Sequence, residues 1–406
     1  MEKSKTYCVM THMGMALQNN ADYCCCNVNK ESWQDNKREV IRVDTHPLKT
    51  AFKSWTRKLI STALDHGIKH PSCQYCWDLE ETTGTSARLS YNKTFGHLEK
   101  LSTQPRILVI KPGNTCNFAC RMCNPETSSS WYADGFELTK SNLHGSSWQA
   151  EENKNVSLLT FNEYTRTFEN IRNSFNPDNE DFWSTIKEWI PNFEYIDIYG
   201  GEPFLTPAMF DALEHGAKTG AAGNITLSLH TNVSRVNETY AKTLTHYKHV
   251  NFKLSIDSMV PAQFSYIRHK GNLETTIANA KKFIEIFKPH PNVNIDVTLT
   301  ITPLNVFYVD QIKRELVSAF ALPVTINIVT TPEYDIRHLP VPVKNLLIAT
   351  LKDQKIVEFL KKPIPGCDVE WPKFCRATDK LDQLRGQNFS NTFPDWWEML
   401  RPHWVK

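Results

Sequence analysis

Net charge is nearly absent: 46 lysines and arginines stand against 44 aspartates and glutamates, which leaves +2 over 406 residues. Such a chain has no field strong enough to hold nucleic acid or an anionic membrane by electrostatics alone. Long hydrophobic runs are missing too. Nowhere do about 18 apolar residues follow one another, the length that marks a membrane-crossing helix. The opening residues, Met1-Glu2-Lys3-Ser4-Lys5-Thr6-Tyr7-Cys8, lack the apolar core of a secretory signal. The expectation is a cytoplasmic protein with no membrane partner and no clear nucleic-acid partner. Cysteine is absent from positions 124–366, and the eleven cysteines crowd instead at 8, 24–26, 73, 76, 116, 120 and 123, with 367 and 375 beyond. In a chain without an export signal this placement favours metal or redox chemistry over a disulfide scaffold.

What is present is a globular composition, 40% hydrophobic and 22% charged, at a length that favours about two or three domains. Its most informative stretch is Lys111-Pro112-Gly113-Asn114-Thr115-Cys116-Asn117-Phe118-Ala119-Cys120-Arg121-Met122-Cys123-Asn124-Pro125. The run before it, residues 106–110, reads as a short buried strand ending in a Pro-Gly turn, so the loop hangs from the end of a strand. Three thiolates at C-x3-C-x2-C can grip three corners of an iron–sulfur cube that ordinarily takes four. One iron would be left open, as an enzyme keeps it and a purely structural site does not. A zinc knuckle is the alternative, although zinc sites usually pair C-x2-C with a second pair elsewhere.

The loop resembles the cluster-binding motif of radical S-adenosylmethionine (SAM) enzymes. The resemblance implies that Cys116, Cys120 and Cys123 hold a [4Fe–4S] cluster whose fourth iron takes the amino and carboxylate groups of SAM. It further implies reductive cleavage of SAM to a 5′-deoxyadenosyl radical that abstracts hydrogen from a substrate, with a flavodoxin- or ferredoxin-type electron donor.

Ahead of this loop, Cys8, the triplet Cys24-Cys25-Cys26 and the pair Cys73-Gln74-Tyr75-Cys76 flank a helix expected over about 47–64. A hairpin carrying two ligands, a helix and a C-x2-C pair would assemble four thiolates from distant positions. The layout resembles the twitch or SPASM modules that carry an auxiliary iron–sulfur cluster in radical SAM enzymes acting on peptides. It departs from them in standing before the barrel and in having Ala21 or Asp22 where a hairpin glycine is expected. The resemblance implies Cys8, Cys25, Cys73 and Cys76 as ligands, Cys25 being preferred to Cys26, with a four-thiolate zinc site as the alternative. The stretch from Trp77 to Arg88 is expected to pack this module onto the barrel.

Residues 106–111, 194–199, 224–230, 249–256, 292–300 and 324–329 read as strands alternating with helical patterns, which argues for a parallel sheet of βαβ units. The expected fold class is α/β: a partial (β/α)6 barrel of the TIM type, with a small N-terminal α+β module and a C-terminal extension. The divisions fall at 1–100, 101–330 and 331–406, with an insertion at about 130–190. Active sites of such barrels lie where strands end, and the remaining motifs fall there. Tyr199-Gly200-Gly201-Glu202-Pro203 resembles the family's G-G-E-P turn, which meets the amino group of SAM. Asn232 matches its T-N step, Ser255 and Asp257 its S-x-D ending, and Arg268 its Y-x-R segment, whose arginine can fork onto the SAM carboxylate. Structural alternatives exist: a capped Gly-Gly turn, a solvated helix cap for Arg268, and a turn around Pro303 for Asn305, otherwise an adenine or ribose contact.

The insertion is expected to cover the barrel mouth or contact substrate, with its tryptophans in the core. Cys367 and Cys375 read as ordinary thiols, and the aromatic tail 393–404 as buried. The resemblance points to a peptide or protein side chain as substrate. A zinc-stabilised binding protein without catalysis is the alternative from another class.

Overall fold

The computed structural model describes residues 3–18, 21–25, 47–98, 103–143, 159–173, 175 and 179–405. Cys26 and the polar part of the insertion, 144–158, lie outside the described residues. The strands are β1 (Gly14–Gln18), β2 (Ala21–Tyr23), β3 (Ile107–Ile110), β4 (Ala119–Cys120) and β5 (Tyr195–Ile198). They continue with β6 (Thr226–Thr231), β7 (His249–Ser255), β8 (Arg268–His269), β9 (Val293–Ile301) and β10 (Val324–Ile328). One eight-stranded sheet runs β10-β9-β7-β6-β5-β3-β1-β2, and β4 and β8 form a separate pair. All neighbours in the large sheet are parallel except β1 and β2.

The six expected strands lie in chain order, each followed by at least one helix, which makes the architecture the partial (β/α) barrel of TIM type. Helices Pro207–Lys218, Glu238–Leu244, Leu273–Phe287 and Val309–Phe320 follow β5, β6, β7 and β9. Period-2 alternation sorts the side chains between two faces. Ile196, Ile198, Leu227, Leu229, Val250, Phe252, Leu254, Val297 and Leu299 enter the main core. The opposite face carries Asp197, Ser228, His230, Lys253, Ser255, Asp296 and Thr298, register partners across β5, β6, β7 and β9. A polar inner face is thus set against an apolar outer one, whereas parallel strands buried on both faces read as unbroken apolar runs.

The seventh parallel strand was not expected. β1 pairs with β3 from Gly14↔Ile107 to Leu17↔Ile110, so the N-terminal segment extends the barrel sheet. Strand β3 is shared between two cores: Leu108 and Ile110 face the main one, while Ile107 and Val109 pack with Tyr7, Cys8, Cys24 and Trp77. Arg88 fastens this second core from inside. Its guanidinium donates to Glu80 (2.9 and 2.5 Å) and to the Tyr7 carbonyl (2.8 Å), and it lies 4.8 Å above the Trp77 ring. The helix expected over 47–64 is two, Leu48–Phe52 and Trp55–Asp65, because the Ser54 side chain accepts from Arg57 N (3.4 Å) and restarts the helix as its N-cap.

In the C-terminal extension, helix Cys367–Arg385 packs Leu381 against Ala119, Trp131 and Leu138 beside the cysteine loop. The aromatic tail is buried at Phe393 and Trp396 and half-buried at Trp397 and Trp404; Trp396 donates through Nε1 to the Pro303 carbonyl (2.8 Å) and stacks on Phe307. Among the described residues no helix is long and apolar enough to cross a membrane.

Candidate active site

The cysteine loop leaves β3 through Gly113, whose φ of +87° suits a residue without a side chain. Asn114, fully buried, donates through Nδ2 to the Pro125 carbonyl (2.8 Å), the Tyr132 hydroxyl (3.0 Å) and the Phe168 carbonyl (3.3 Å), tying both ends of the loop to the insertion helices. Residues 128–131 then wrap it. The Ser128 hydroxyl donates to Phe118 O (2.6 Å), the Ser130 hydroxyl to Cys116 O (2.9 Å) and the Trp131 indole to Cys120 O (2.7 Å). A loop held at so many carbonyls presents its thiols in a fixed arrangement.

Cys120 is buried, and Cys116 and Cys123 are half-buried. The Cys120 and Cys123 thiols share a hydrogen bond, which holds Cys120 below the usual thiol range and pushes Cys123 above it. Desolvation pushes the Cys116 thiol up to about 12. Two N–H groups point at sulfurs: Asn232 Nδ2 lies 3.7 Å from Cys116 Sγ, and Arg268 Nη1 4.0 Å from Cys120 Sγ. Among the described residues no three His, Cys, Asp or Glu side chains converge closely enough to share one metal ion. A cubane instead takes each cysteine on a different iron. Three thiols on one braced loop, two of them already facing N–H donors, fit that group.

The glycine–glutamate turn closes onto this loop. Gly201 N donates to Thr127 O (3.2 Å) and Glu202 N to Thr115 O (2.8 Å). Gly200 and Gly201 have φ of +86° and +56°, and a Cβ on Gly201 would stand 2.7 Å from Thr115 O. Glu202 is turned inward and is 1% exposed. It accepts from Phe204 N (3.1 Å), the Thr231 hydroxyl (2.8 Å) and Asn232 N (2.6 Å), while burial pushes its carboxyl up to about 7. The carboxylate therefore braces the ends of β5 and β6. Asn232, so held, donates also to Asn117 Oδ1 (3.1 Å), which accepts from the Ser234 hydroxyl (3.1 Å).

Across the loop, β4 pairs antiparallel with β8 and sets Cys120 opposite Arg268. Arg268 Nε lies 2.8 Å from Asp257 Oδ2, and Asp257 Oδ1 accepts from Thr300 N (2.8 Å). Both side chains are buried, so Arg268 faces a carboxylate and a thiol of its own chain rather than solvent. Ser255 lies half-buried at the end of β7. Asn305 is spent on structure: it donates to Thr300 O (2.9 Å) and Asp257 O (3.2 Å) and accepts from Thr302 N (3.0 Å).

Of the second thiol set, Cys8 lies in the N-terminal core and Cys73 packs against it. Cys8 and Cys76 are buried and Cys73 half-buried. Burial pushes Cys8 up to about 12, with Cys24 and Cys76 near enough to add to the shift; Cys73 is raised likewise by burial, with Cys8 and Cys76 beside it. Cys24 is fully buried in the N-terminal core, and the preferred Cys25 sits half-buried at its margin. Nothing in the residue pattern pointed directly to the clamp behind the loop. The guanidinium of Arg121, 1% exposed, pairs with Asp382, donates to Gln387 Oε1 (3.0 Å) and lies 3.6 Å from the Tyr266 ring centre. The one available signal was a charged residue inside the cysteine motif.

Residues 110–316, just over half of the chain, match the family model described as the Radical SAM superfamily. No curated protein matches the chain. Among solved structures it is similar to native anSMEcpe with bound AdoMet, at 17% identity and a TM-score of 0.36, covering 70% of this chain and 63% of that one. It is also similar to the same protein with AdoMet and Cp18Cys peptide, at 16% identity and TM-score 0.34, covering 69% and 61%. A third is Streptococcus suis SuiB bound to S-adenosylmethionine, at 11% identity and TM-score 0.33, covering 83% and 68%. The chain thus spans less than two thirds of the anSMEcpe structures it matches.

Proposed function

Because the chain belongs to the radical SAM superfamily, we propose that it cleaves SAM reductively and abstracts hydrogen from a peptide or protein side chain. When bound, the [4Fe–4S] cluster supplies the electron that breaks the sulfonium, and the deoxyadenosyl fragment takes the hydrogen. Cys116, Cys120 and Cys123 would hold that cluster. The observation that carries the reading is the single hydrogen-bonded wall around these thiols: Glu202 N on Thr115 O, Asn232 on Cys116, and Arg268 opposite Cys120. Motifs far apart in sequence meet at one rim.

The chain's own work there is to bind, orient and exclude water. Gly200 and Gly201 allow the backbone to approach a bound cofactor, Asn232 is fixed by Glu202, and Ser255 stands at the neighbouring strand end, on the inner face. Cys8, Cys73, Cys76 and one thiol of the 24–26 triplet, Cys25 by the module's layout with Cys24 as the buried alternative, would hold an auxiliary [4Fe–4S] cluster. We read residues 1–100 as this auxiliary module, 101–330 as the barrel and 331–406 as an extension. A cytoplasmic flavodoxin- or ferredoxin-type protein is the proposed electron donor. The peptide substrate rests on the likeness of the N-terminal thiol layout to modules of peptide-modifying enzymes, an argument by analogy.

Anaerobic purification tests the reading. A brown protein with about eight irons per chain, two cubanes' worth, that releases 5′-deoxyadenosine from SAM under reduction supports it, provided C116A abolishes the release. A colourless protein with stoichiometric zinc overturns it. Mass spectrometry of candidate peptides incubated with SAM and reductant would then identify the reaction outcome.

A further inference from the structure

Arg268 is buried against two groups of its own chain. Its Nε forms an ion pair with Asp257 Oδ2 at 2.8 Å, without a well-directed hydrogen bond between them, and its Nη1 lies 4.0 Å from Cys120 Sγ. Relative exposures are 6% for Arg268, 0% for Asp257 and 6% for Cys120, so the arrangement sits out of water, where charges act strongly on one another. Its position is fixed three ways: by the β4–β8 pairing of Cys120 with Arg268, by Arg121 N donating to Ile267 O (2.8 Å), and by Thr300 N donating to Asp257. These contacts link the end of β9 to a cluster ligand through one carboxylate and one guanidinium.

Charge and hydrogen bonds at the sulfurs are what set the potential of an iron–sulfur cluster. A cation beside a ligand favours the reduced, more negative state and raises the potential; a carboxylate behind that cation offsets part of the effect. From this geometry we propose that Arg268 tunes the reduction potential of the cluster held by Cys116, Cys120 and Cys123, and that Asp257 is the positioning residue that both aims and tempers it. The inference rests on the proposed cluster at those three thiols. It gives the buried ion pair a task distinct from clamping the SAM carboxylate: keeping the cluster reducible by a protein donor without making it too weak a reductant for SAM.

The pair yields a sign test. In the holoprotein the EPR signal that SAM perturbs is followed while the applied potential is stepped, for wild type, R268Q, D257N and the double variant. R268Q removes the cation and leaves the carboxylate, so the midpoint should fall. D257N leaves the guanidinium unopposed, so it should rise. The double variant should lie between them. A purely structural pair would loosen the loop in both single variants and give no shifts of opposite sign, and unchanged or same-direction midpoints overturn the proposal. If R268Q does not retain a cluster, D257N alone decides: a rise supports the proposal, and no change or a fall overturns it. A wild-type protein with no SAM-perturbed signal overturns the functional reading itself, and this inference with it.

Discussion

Asp197 shows what a barrel with a polar interior costs. It stands on the inner face of β5 opposite Ser228, with Oδ1 buried and without a hydrogen-bond partner. Desolvation pushes its carboxyl up to about 6 from 3.8, against the pull of a Ser228 hydrogen bond and the Lys253 charge. A carboxyl whose folded pKa is raised binds more protons folded than unfolded between the two values. Its contribution is therefore complete below about pH 3.8 and is lost as pH rises through about 6. Asp197→Asn removes the ionisation. The stability difference, variant minus wild type, is expected to grow by roughly 2 kcal/mol between pH 4 and pH 7. Urea unfolding at a series of pH values checks it, and a pH-independent difference would refute the burial account. The position was legible as a strand residue, but its inward direction was not. Register with Ser228 decides it, and register is a tertiary fact.

At the scale of elements, strands announced by β-branched and aliphatic runs were readable in place and order. The segment Gly14–Gln18 was not: it opens on glycine and carries no β-branched residue, and it is a strand because Ile107–Ile110 offers it a parallel partner. The same applies to β4 and β8, two residues each, whose pairing joins motifs that sequence spacing keeps apart. Behind them helix Cys367–Arg385 supplies Asp382, which takes Arg121, the Tyr266 hydroxyl (2.7 Å) and Phe389 N (2.6 Å). Composition could not reveal that partner, 261 residues away in sequence. Asp382→Ala would strand a buried guanidinium. The expected loss is about 3–5 kcal/mol, the usual cost of breaking a buried pair from one side. A lowered melting temperature together with faster loss of iron on dilution would register it, since Arg121 lies between two of the loop's cysteines. An unchanged melting temperature would mean that Asp382 carries none of this load.

Over the whole molecule the two thiol sets share one short support. Ile107 and Val109 of β3 pack into the core that holds Cys8 and Cys24, while the loop bearing Cys116, Cys120 and Cys123 leaves the end of that same strand. The cysteine spacing announced both sets, but not that one strand carries them or that the N-terminal segment joins the barrel sheet through β1. If each set holds a cubane, they are structurally adjacent yet separately ligated, so removing one should spare the other. C73A/C76A is expected to lower the iron content from about eight to about four per chain. The remaining cluster should still release 5′-deoxyadenosine from SAM under reduction, because the contacts described around Cys116, Cys120 and Cys123 come from the loop, residues 128–131, the barrel strand ends and the C-terminal helix. Modification of the substrate should be lost, uncoupling SAM cleavage from product formation. Iron analysis with deoxyadenosine and product measured in one reaction distinguishes the cases: retention of all the iron would remove the auxiliary site, and loss of all of it would show that β3 cannot hold one cluster without the other.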